Sequence, residues 1–428
     1  MNEKTAQAVE GAHRELWKRF IRDGIILDCA DRNGAITIPS PAECRDGKPN
    51  ALGWGAPIEN GAFFNGLYLP ALCKRSRLSA SKKDKAEARK IAAGLLHLSE
   101  VSDVPGFIAR GVATDGRSHY PLGSDDQTHP WFYGLYQYLK SGIPDPAERA
   151  MVIRKMTEAA KALEATRWRC PCDGAFKGQF RGEFAGAEFR GAARLLFILR
   201  AMYEITKDAR WLTAYRSAAG ERRDRSAKTR LEICAEGYVF DLPRIPFLRN
   251  ALWIVVGAQA SLKELAAVET DEATRASYRN GLVRNAEESI AAIAQYAGFD
   301  NNDDTPFRFH NWRDLNRHWK PQALVSEAVM VAEEVLRRGD QPENERRVRP
   351  RKSLEHHHMT EPLCAACMVA LSGDAGLIAK ARKDIERALC HYDWSRLNFA
   401  RFFFAECAYY ELVSNAEDQK GASSMPLR

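Results

Sequence analysis

The densest group of side chains capable of chemistry lies in residues 104–142, a polar loop followed by the start of an aromatic-rich helix. Paired carboxylates can serve as the acid and the base or nucleophile of glycosidic bond cleavage, and a guanidinium can bind a substrate carboxylate. We therefore predict four catalytic and three substrate-binding candidates here: Asp125, Asp126, His119 and Tyr120 are the catalytic ones, and Arg110, Gln127 and His129 bind substrate.

The same residues also have a purely structural interpretation. Ser124 and Gln127 have the spacing of a capping box, in which a helix-start serine pairs with an amide three residues later. Asp125 and Asp126 would then occupy the first helical turn, where the helix dipole favours carboxylates. Both interpretations stay open at the level of the sequence.

A second group surrounds the start of the apolar stretch 61–73. Glu59 is a candidate catalytic acid, Trp54 a candidate surface for sugar stacking, and Asn60 a candidate for binding hydroxyl groups. The alternative is that Glu59 and Asn60 cap the following helix.

The run of three histidines at 356–358 lies at the start of another apolar helix. We predict that His357, His358 and Glu361 bind substrate. A tetrahedral metal set from two histidines with Cys364 and Cys367 is conceivable, but the spacing matches no established zinc motif. Cysteines in an apolar helix are typical of a core.

Two further substrate-binding candidates, His310 and Trp312, precede another predicted helix of the ring and are expected to line the same cleft. The nearby Asn301–Asp304 cluster offers oxygen ligands but lacks the spacing of a calcium loop. We predict no metal site and no cofactor, and leave a divalent cation as an open possibility.

The first group also resembles a known family. Its matching parts are Gly106–Gly111, Asp115–Gly116, Tyr120, Ser124–Gln127 and Tyr133–Leu135. Together they resemble the opening helices of bacterial six-hairpin carbohydrate-active proteins, which include unsaturated glucuronyl hydrolases and rhamnose–glucuronate lyases. The resemblance implies an (α/α)6 carbohydrate-active enzyme and leaves hydrolysis and β-elimination both open.

The elements that must position these residues are helices of two alternating kinds. Apolar segments at 129–140, 187–205, 246–267, 359–373 and 395–413 alternate with amphipathic segments at 146–166, 208–219, 271–297 and 374–392. Short Gly-, Pro- or Asp-containing connections favour antiparallel neighbours. We predict an all-α (α/α)6 toroid of six hairpins, with an open helical array as the alternative.

The predicted domain is a single toroid over residues 1–415, followed by a flexible tail at 416–428. Its N-terminal part, 1–58, contains a helix and a small β-hairpin that pairs Gly24–Cys29 with Ala35–Pro39. Gly-rich loops at 104–128 and 168–186 cap one end of the ring. The polar segments before residues 60, 125, 312 and 359 should gather at that end.

Composition narrows the classes of partner. The chain has 63 basic and 56 acidic residues, a net charge of +7 that suits an anionic substrate. It has no dense Lys/Arg block of the kind that binds nucleic acid. It also lacks a signal peptide and any apolar run long enough for a membrane span. Ten scattered cysteines suit a reducing cytoplasm.

We therefore expect an enzyme that hydrolyses a glycosidic bond in a uronic-acid-containing oligosaccharide by acid/base chemistry. A lyase on the same fold is the first alternative. A non-catalytic sugar-binding helical protein and a sugar epimerase or isomerase are the others. The sequence does not predict an oligomeric state.

Overall fold

The computed structural model describes residues 1–31, 33–222, 227–245, 251–308, 311–339 and 350–423, with the backbone alone at 339 and 418–423. These ranges are mostly helical, as predicted. The helices are α1 Glu3–Arg19, α2 Pro41–Arg45, α3 Gly61–Ser79, α4 Lys82–Leu98, α5 Asp125–Lys140, α6 Pro146–Ala165, α7 Phe189–Thr206, α8 Ala209–Gly220, α9 Arg230–Glu236, α10 Val256–Val268, α11 Glu272–Ile293, α12 Val325–Gly339, α13 Arg351–Glu355, α14 Glu361–Ser372, α15 Ala375–Leu389 and α16 Phe404–Ser423. The strands β1 Ile21–Arg22 and β2 Ile25–Ile26 form one antiparallel pair, and β3 Arg169–Pro171 and β4 Phe180–Glu183 form another.

Helical hairpins organise most of the chain. Consecutive helices α3–α4, α5–α6, α7–α8, α10–α11 and α14–α15 are joined by connections of two residues (80–81) to five residues (141–145). The first helix of each pair is largely buried, whereas the second is amphipathic. Helix α15, for example, buries Ile378, Ala381 and Ile385 and exposes charged residues between them. This confirms the predicted alternation.

The buried helices pack against one another in sequence order. Helix α3 contacts α5, α5 contacts α7, α7 contacts α10, α10 contacts α14, and α14 contacts α16. Helix α16 in turn contacts α3, and α1 packs against α16 from outside the hairpin series. One hydrophobic cluster includes residues from all of these helices.

The starts of the buried helices lie at the same end of the molecule. On α5, the Gln127 side chain accepts a hydrogen bond from the Phe63 backbone near the start of α3, with a donor–acceptor distance of 3.0 Å. The first residue of α5, Asp125, binds Arg194 in the second turn of α7 at 2.8 Å. These bonds fix the starts of three helices side by side.

The same connection continues to α10 and α14. Arg194 also donates to the carbonyl of Ile254, just before α10, at 3.0 Å. Glu361, the first residue of α14, accepts from the backbone N–H of Leu252 at 2.8 Å. We call this end of the molecule, where α3, α5, α7, α10 and α14 begin, the mouth.

The predicted N-terminal hairpin is wrong in its register. The strands that pair are β1 and β2, across a tight turn at Asp23 and Gly24, whose φ angles are 50° and 78°. The segment Ala35–Pro39 forms no strand, and Cys29 instead makes an isolated bridge with Phe399. The left-handed turn allows an earlier and shorter hairpin than the alternating pattern suggested.

Two buried helices also begin later than predicted. In the 246–267 segment, residues 246–250 lie outside the described residues, and α10 begins at Val256. In the 395–413 segment, α16 begins at Phe404. Short 3-10 turns at Trp394–Arg396 and Ala400–Phe403 precede it, and between them the Phe399 N–H donates to Glu355 at 2.7 Å and the Ala400 N–H to the carbonyl of Asp28 at 2.9 Å. Tertiary hydrogen bonds override the helical pattern there.

The C-terminal segment is helical beyond residue 416, where a flexible tail was predicted to begin. The predicted flexible tail overlaps the end of α16, and residues 424–428 lie outside the described part of the chain. Among the described helices, none is both long enough and apolar enough to cross a membrane.

Candidate active site

A cavity of about 460 Å³ opens at the mouth. Its lining combines carboxylates, cations and aromatic rings: Asp28, Cys29, Glu59, Trp253, Arg308, Leu336, Pro350, Lys352, Ser353, His356, Phe399 and Arg401. Of the catalytic candidates predicted from the sequence, Glu59 is the one that lines it. The other four, Asp125, Asp126, His119 and Tyr120, are not among its lining residues.

A buried hydrogen-bond network forms the wall behind Glu59. The N–H and the side-chain amide of Asn60 donate to the two oxygens of Asp28, each at 2.6 Å. Gln127 donates to the side-chain oxygen of Asn60 at 3.0 Å. Because Asn60 and Gln127 are fully buried and their side chains already make these hydrogen bonds, they support the site and do not face a substrate.

This network also corrects the capping interpretations. In the described structure, neither Ser124 at the start of α5 nor Asn60 at the start of α3 makes a side-chain capping hydrogen bond. The side chain of Gln127 bonds to α3 and not back to Ser124, whose hydroxyl is buried without a partner in the described residues. Asp125 and Asp126 do lie in the first turn of α5, as expected.

Glu59 and Asp28 form a pair of carboxyl groups on the cavity wall. Glu59 is half-buried, and one of its oxygens accepts from the Gly55 N–H at 2.8 Å. Burial and the negative charge of Glu59 raise the pKa of Asp28 to about 8, although the Asn60 hydrogen bonds oppose the shift. Two neighbouring carboxylates resist double ionisation, so the pair holds a proton near neutral pH.

Arg110 connects this pair to the acidic start of α5. Its side chain is fully buried, and Nη1 donates to the Glu59 carbonyl at 3.1 Å. On the other side, Nη2 lies 3.7 Å from the Asp126 carboxylate. Burial lowers the pKa of Arg110, and Asp126 opposes that shift. Arg110 Nε and Nη2 and Asp126 Oδ1 are buried without hydrogen-bond partners among the described residues.

The two adjacent carboxylates at the start of α5 have different surroundings. Burial would raise the pKa of Asp126, but the guanidiniums of Arg110 and Arg181 outweigh it and hold that pKa below its usual value. Asp125 pairs with Arg194 at 2.8 Å, yet burial still raises its pKa. Asp126 is therefore ionised and has an oxygen without a hydrogen-bond partner in the described residues. Asp125 joins α5 to α7 through its ion pair with Arg194.

Arg401 also lines the cavity. Its guanidinium lies 4.0 Å from the Trp253 ring centre and 4.5 Å from that of Phe399. Arg401 Nη1 is 3.4 Å from Nδ1 of His356. Since Arg401 covers a face of Trp253, that indole face is not open for sugar stacking.

A π-helical turn, His356–Thr360, places the histidine run. Such turns are frequent at functional sites. His356 faces the cavity, with Nε2 3.9 Å from the buried Glu361, and burial raises the pKa of Glu361 to about 7. His357 stacks edge-on against His356 at 5.0 Å, whereas His358 turns outward to the carbonyl of Gln295 at 2.9 Å.

Two predicted catalytic residues are bound elsewhere. Tyr120 is fully buried and donates its hydroxyl to the Lys48 carbonyl at 2.6 Å. His119 contacts Asp173 at 2.9 Å, and its ring packs on Phe107. We leave both out of the candidate site, because their polar atoms bind other loops.

The remaining substrate-binding candidates are also divided. His129 is buried below the mouth and contacts Ser261 at 2.7 Å; burial keeps its pKa well below the usual value, so it is a neutral core residue. Trp312 is buried and donates to the Thr37 carbonyl at 2.8 Å. Trp54 is half-buried, and the guanidinium of Arg181 lies over its indole ring, 5.4 Å from the ring centre. His310 lies outside the described residues.

The described residues contain no group of three or more His, Cys, Asp or Glu side chains arranged to hold a metal ion. Cys364 and Cys367 are free thiols buried in the core, and His358 points away from them. The tetrahedral set considered from the sequence is therefore not assembled.

The sequence interpretation missed Asp28 and Arg401. Each is a charged residue inside an apolar run, Ile25–Ala30 and Phe399–Phe404. Charged residues are almost never buried unless paired or functional, so this contrast was a usable signal. Asp28 and Arg401 are 373 positions apart, and nothing local indicated that the two segments meet.

Comparison of the chain with family models, with curated proteins and with solved structures gives no match. The chemistry of the mouth is therefore the basis for assigning a function.

Proposed function

We propose that this chain is a glycoside hydrolase that cleaves a uronic-acid-containing oligosaccharide. We also propose that its helices close into an (α/α)6 toroid. The contact series that runs from α3 through α16 and back to α3 supports that closure. In this arrangement α1 supplies the outer helix for α16, completing the sixth hairpin.

One observation carries the functional proposal. Arg110 lies at the mouth between the backbone carbonyl of Glu59, 3.1 Å from Nη1, and the carboxylate of Asp126, 3.7 Å from Nη2. Glu59 belongs to a carboxyl pair that retains a proton near neutral pH, whereas Asp126 is ionised. Two carboxyl groups whose surroundings push their proton affinities apart are suited to acid and base roles.

The proposed reaction uses these two groups in turn. Glu59, the more exposed member of the pair, passes the proton that the pair shares to the glycosidic oxygen as the bond from that oxygen to the anomeric carbon breaks. Asp126 accepts a proton from water as the water oxygen bonds to the anomeric carbon. The products are a free reducing sugar and an alcohol, and the enzyme regains its starting state when a proton passes from Asp126 to Glu59. Arg110 acts as a positioning residue.

The arrangement favours hydrolysis over the alternatives. The tyrosine considered as the base of a lyase, Tyr120, donates its hydroxyl to a backbone carbonyl. The histidines considered for an epimerase, His119, His129 and His357, lie in three separate environments. A sugar-binding protein without catalysis would not need unlike carboxyl groups around a buried guanidinium.

The test is an assay of purified protein on a panel of uronate-containing oligosaccharides. We expect new reducing ends without new ultraviolet absorbance. New ultraviolet absorbance from a conjugated double bond would mean elimination and would contradict the proposed mechanism. If neither new reducing ends nor new absorbance appears with any substrate of the panel, the proposal of enzymatic cleavage is contradicted.

Variants then test the assigned residues. Asp126→Asn and Glu59→Gln should each lower kcat by roughly 100-fold or more, since each removes a proton-transfer group. Tyr120→Phe is the matched control, because it removes a buried hydroxyl close in sequence and should leave kcat within about twofold. Melting temperatures of the folded variants exclude a trivial loss of structure. Activity that survives in both Asp126→Asn and Glu59→Gln would refute the assignment.

A further inference from the structure

We infer that the acidic sugar of the substrate occupies the cavity lined by Glu59, where Arg401 binds its carboxylate. The inference rests on the proposed function and deepens it, because it names the residue that selects a uronic acid over a neutral sugar. In the proposed reaction Glu59 serves the glycosidic oxygen, so the acidic sugar is one of the two sugars that the cleaved bond joins.

Arg401 and Glu59 line the same cavity, whose volume is about 460 Å³. Sites for small molecules have volumes of roughly 300–1,000 Å³, so the space is sufficient for one sugar. Glu59 reaches the cavity from the segment before α3, and Arg401 from the 3-10 turn Ala400–Phe403 before α16. The proton donor and the candidate receptor for a carboxylate therefore face one space.

The guanidinium of Arg401 is buried but incompletely hydrogen-bonded. The residue is 6% exposed, and its Nε is enclosed without a partner among the described residues. Nη1 has one long contact, to Nδ1 of His356 at 3.4 Å. Nη2 makes no hydrogen bond within the described part of the chain and is not among the enclosed atoms, so it is the nitrogen open to a ligand.

No carboxylate of the described residues forms an ion pair with Arg401, and this includes Asp28 and Glu59 in the same cavity. Burying a charge without an ionic partner costs free energy. A bound carboxylate would provide that partner, because its two oxygens can accept parallel N–H bonds from one guanidinium.

Two aromatic rings of the cavity wall orient this guanidinium. It lies over Trp253 at 4.0 Å and over Phe399 at 4.5 Å from the ring centres, and both residues line the cavity. A guanidinium stacked on aromatic rings keeps its charge and its in-plane N–H donors. The rings also exclude water, which strengthens a hydrogen bond between charged groups. Arg401 is therefore held in place for a planar anion.

The other charges around the cavity favour an anion on balance. Arg308 and Lys352 also line it and add positive charge. The carboxyl groups in the lining are the pair that holds a proton near neutral pH. Glu361 lies behind His356, 3.9 Å from its Nε2, and burial raises the pKa of Glu361 to about 7, so this carboxyl group is only partly ionised there. A cavity with this balance attracts an anionic sugar.

The experiment measures the binding of phenyl thioglycosides, which resist hydrolysis, to the full-length protein by calorimetry. One series contains glucuronic acid and its neutral carboxamide, and a second contains galacturonic acid and its carboxamide, each as both anomers. The acid and the amide of a series have nearly the same shape and differ in charge. Because no bond is cleaved, the affinities are independent of catalysis.

We expect wild type to bind the acid about tenfold more tightly than the amide in at least one series, the effect of one charge-assisted hydrogen bond. Arg401→Gln should remove this preference by weakening the acid, with the amide within about twofold of wild type. Arg401→Lys keeps the charge but loses the planar fork, so a smaller preference should remain.

Two further variants serve as comparisons. Lys352→Gln removes another cation of the cavity wall and should reduce the preference less than Arg401→Gln does. Arg382→Gln, at an exposed position on the outer helix α15, should behave as wild type. Melting temperatures identify a variant that fails to fold, and if Arg401→Gln is one, Arg401→Lys decides.

Equal affinity for acid and amide in every series, or no binding of any ligand, would overturn the inference. So would an undiminished acid preference in folded Arg401→Gln or Arg401→Lys, or its loss in Lys352→Gln alone. Cleavage of oxygen-linked uronates without the acid preference would retain the proposed function and reject this inference. An acid preference that depends on Arg401, in a protein that cleaves none of the oxygen-linked panel, would do the reverse.

Discussion

At the scale of single residues, Asp28 shows how surroundings decide the chemistry of a carboxyl group. It is 2% exposed and accepts two hydrogen bonds from Asn60, which favour its ionised form. Burial and the charge of Glu59 outweigh them and raise its pKa to about 8. The pair therefore carries a proton under conditions in which an exposed carboxyl group has lost it.

The pH dependence of catalysis follows from this pair. Because the protonated pair is the proton donor, kcat/KM should be high below pH 8 and fall as pH rises through about 8. Asp28→Asn removes the carboxyl group whose pKa is raised, so the alkaline limb should no longer lie near pH 8.

Profiles of kcat/KM against pH for wild type and Asp28→Asn measure this shift. Asp115→Asn, at an exposed loop carboxylate, is the control and should leave the limb in place. A limb that stays at the same pH in Asp28→Asn would show that the pair is not the donor.

At the scale of elements, α3 and α5 approach so closely that glycine is required at the crossing. A Cβ built on Gly66 would lie 2.0 Å from the Pro130 carbonyl oxygen. The opposing Gly134 would meet the Gly66 Cα at 2.8 Å. This contact holds the start of α5, and with it Asp126, beside the start of α3.

Substitution at this crossing should therefore be costly. Gly66→Ala must push two backbones apart, and we expect the free energy of unfolding to fall by about 3 kcal/mol or more. Gly220→Ala is the matched control, because a Cβ there meets nothing within 4 Å. Chemical denaturation of both variants measures the difference. Equal stability of the two variants would mean that the helices are not in contact at Gly66.

At the scale of the whole molecule, the two ends of the chain are joined by a buried ionic cluster. His13 on α1 contacts Glu406 on α16 and Glu87 on α4, each at 3.1 Å. Tyr68 on α3 donates to Glu406 at 2.7 Å. Burial lowers the proton affinity of His13, but the hydrogen bonds to Glu406 and Glu87 outweigh it and raise its pKa to about 9.

This cluster predicts a stability that depends on pH. A histidine whose pKa is raised by folding contributes its full stabilisation below its unfolded pKa of about 6.5. That contribution should be lost as pH rises through about 9, at a cost of roughly 3 kcal/mol.

The measurement is the difference in free energy of unfolding between wild type and His13→Gln from pH 6 to pH 10. The difference should shrink as pH rises. A constant difference over this range would mean that His13 is neutral in the folded protein.

The sequence by itself determined the helix types and much of the mouth. Apolar and amphipathic segments differ by local periodicity, which is readable without a structure. The polar segments before α3 and α5 were expected to meet, and Glu59, Arg110 and Asp126 do lie together. The alternative of helix capping was wrong for Asn60 and Gln127, because a capping pattern is local whereas their side-chain bonds run between helices.

Only the tertiary structure decided which distant residues complete the site. Asp28 and Arg401 enter it because the Ala400 N–H donates to the Asp28 carbonyl, which brings the N-terminal segment against the start of α16. Tyr120, by contrast, lies outside the site, because its hydroxyl donates a hydrogen bond to the backbone carbonyl of Lys48. Such contacts depend on how the chain packs back on itself, and spacing along the chain carries no record of that.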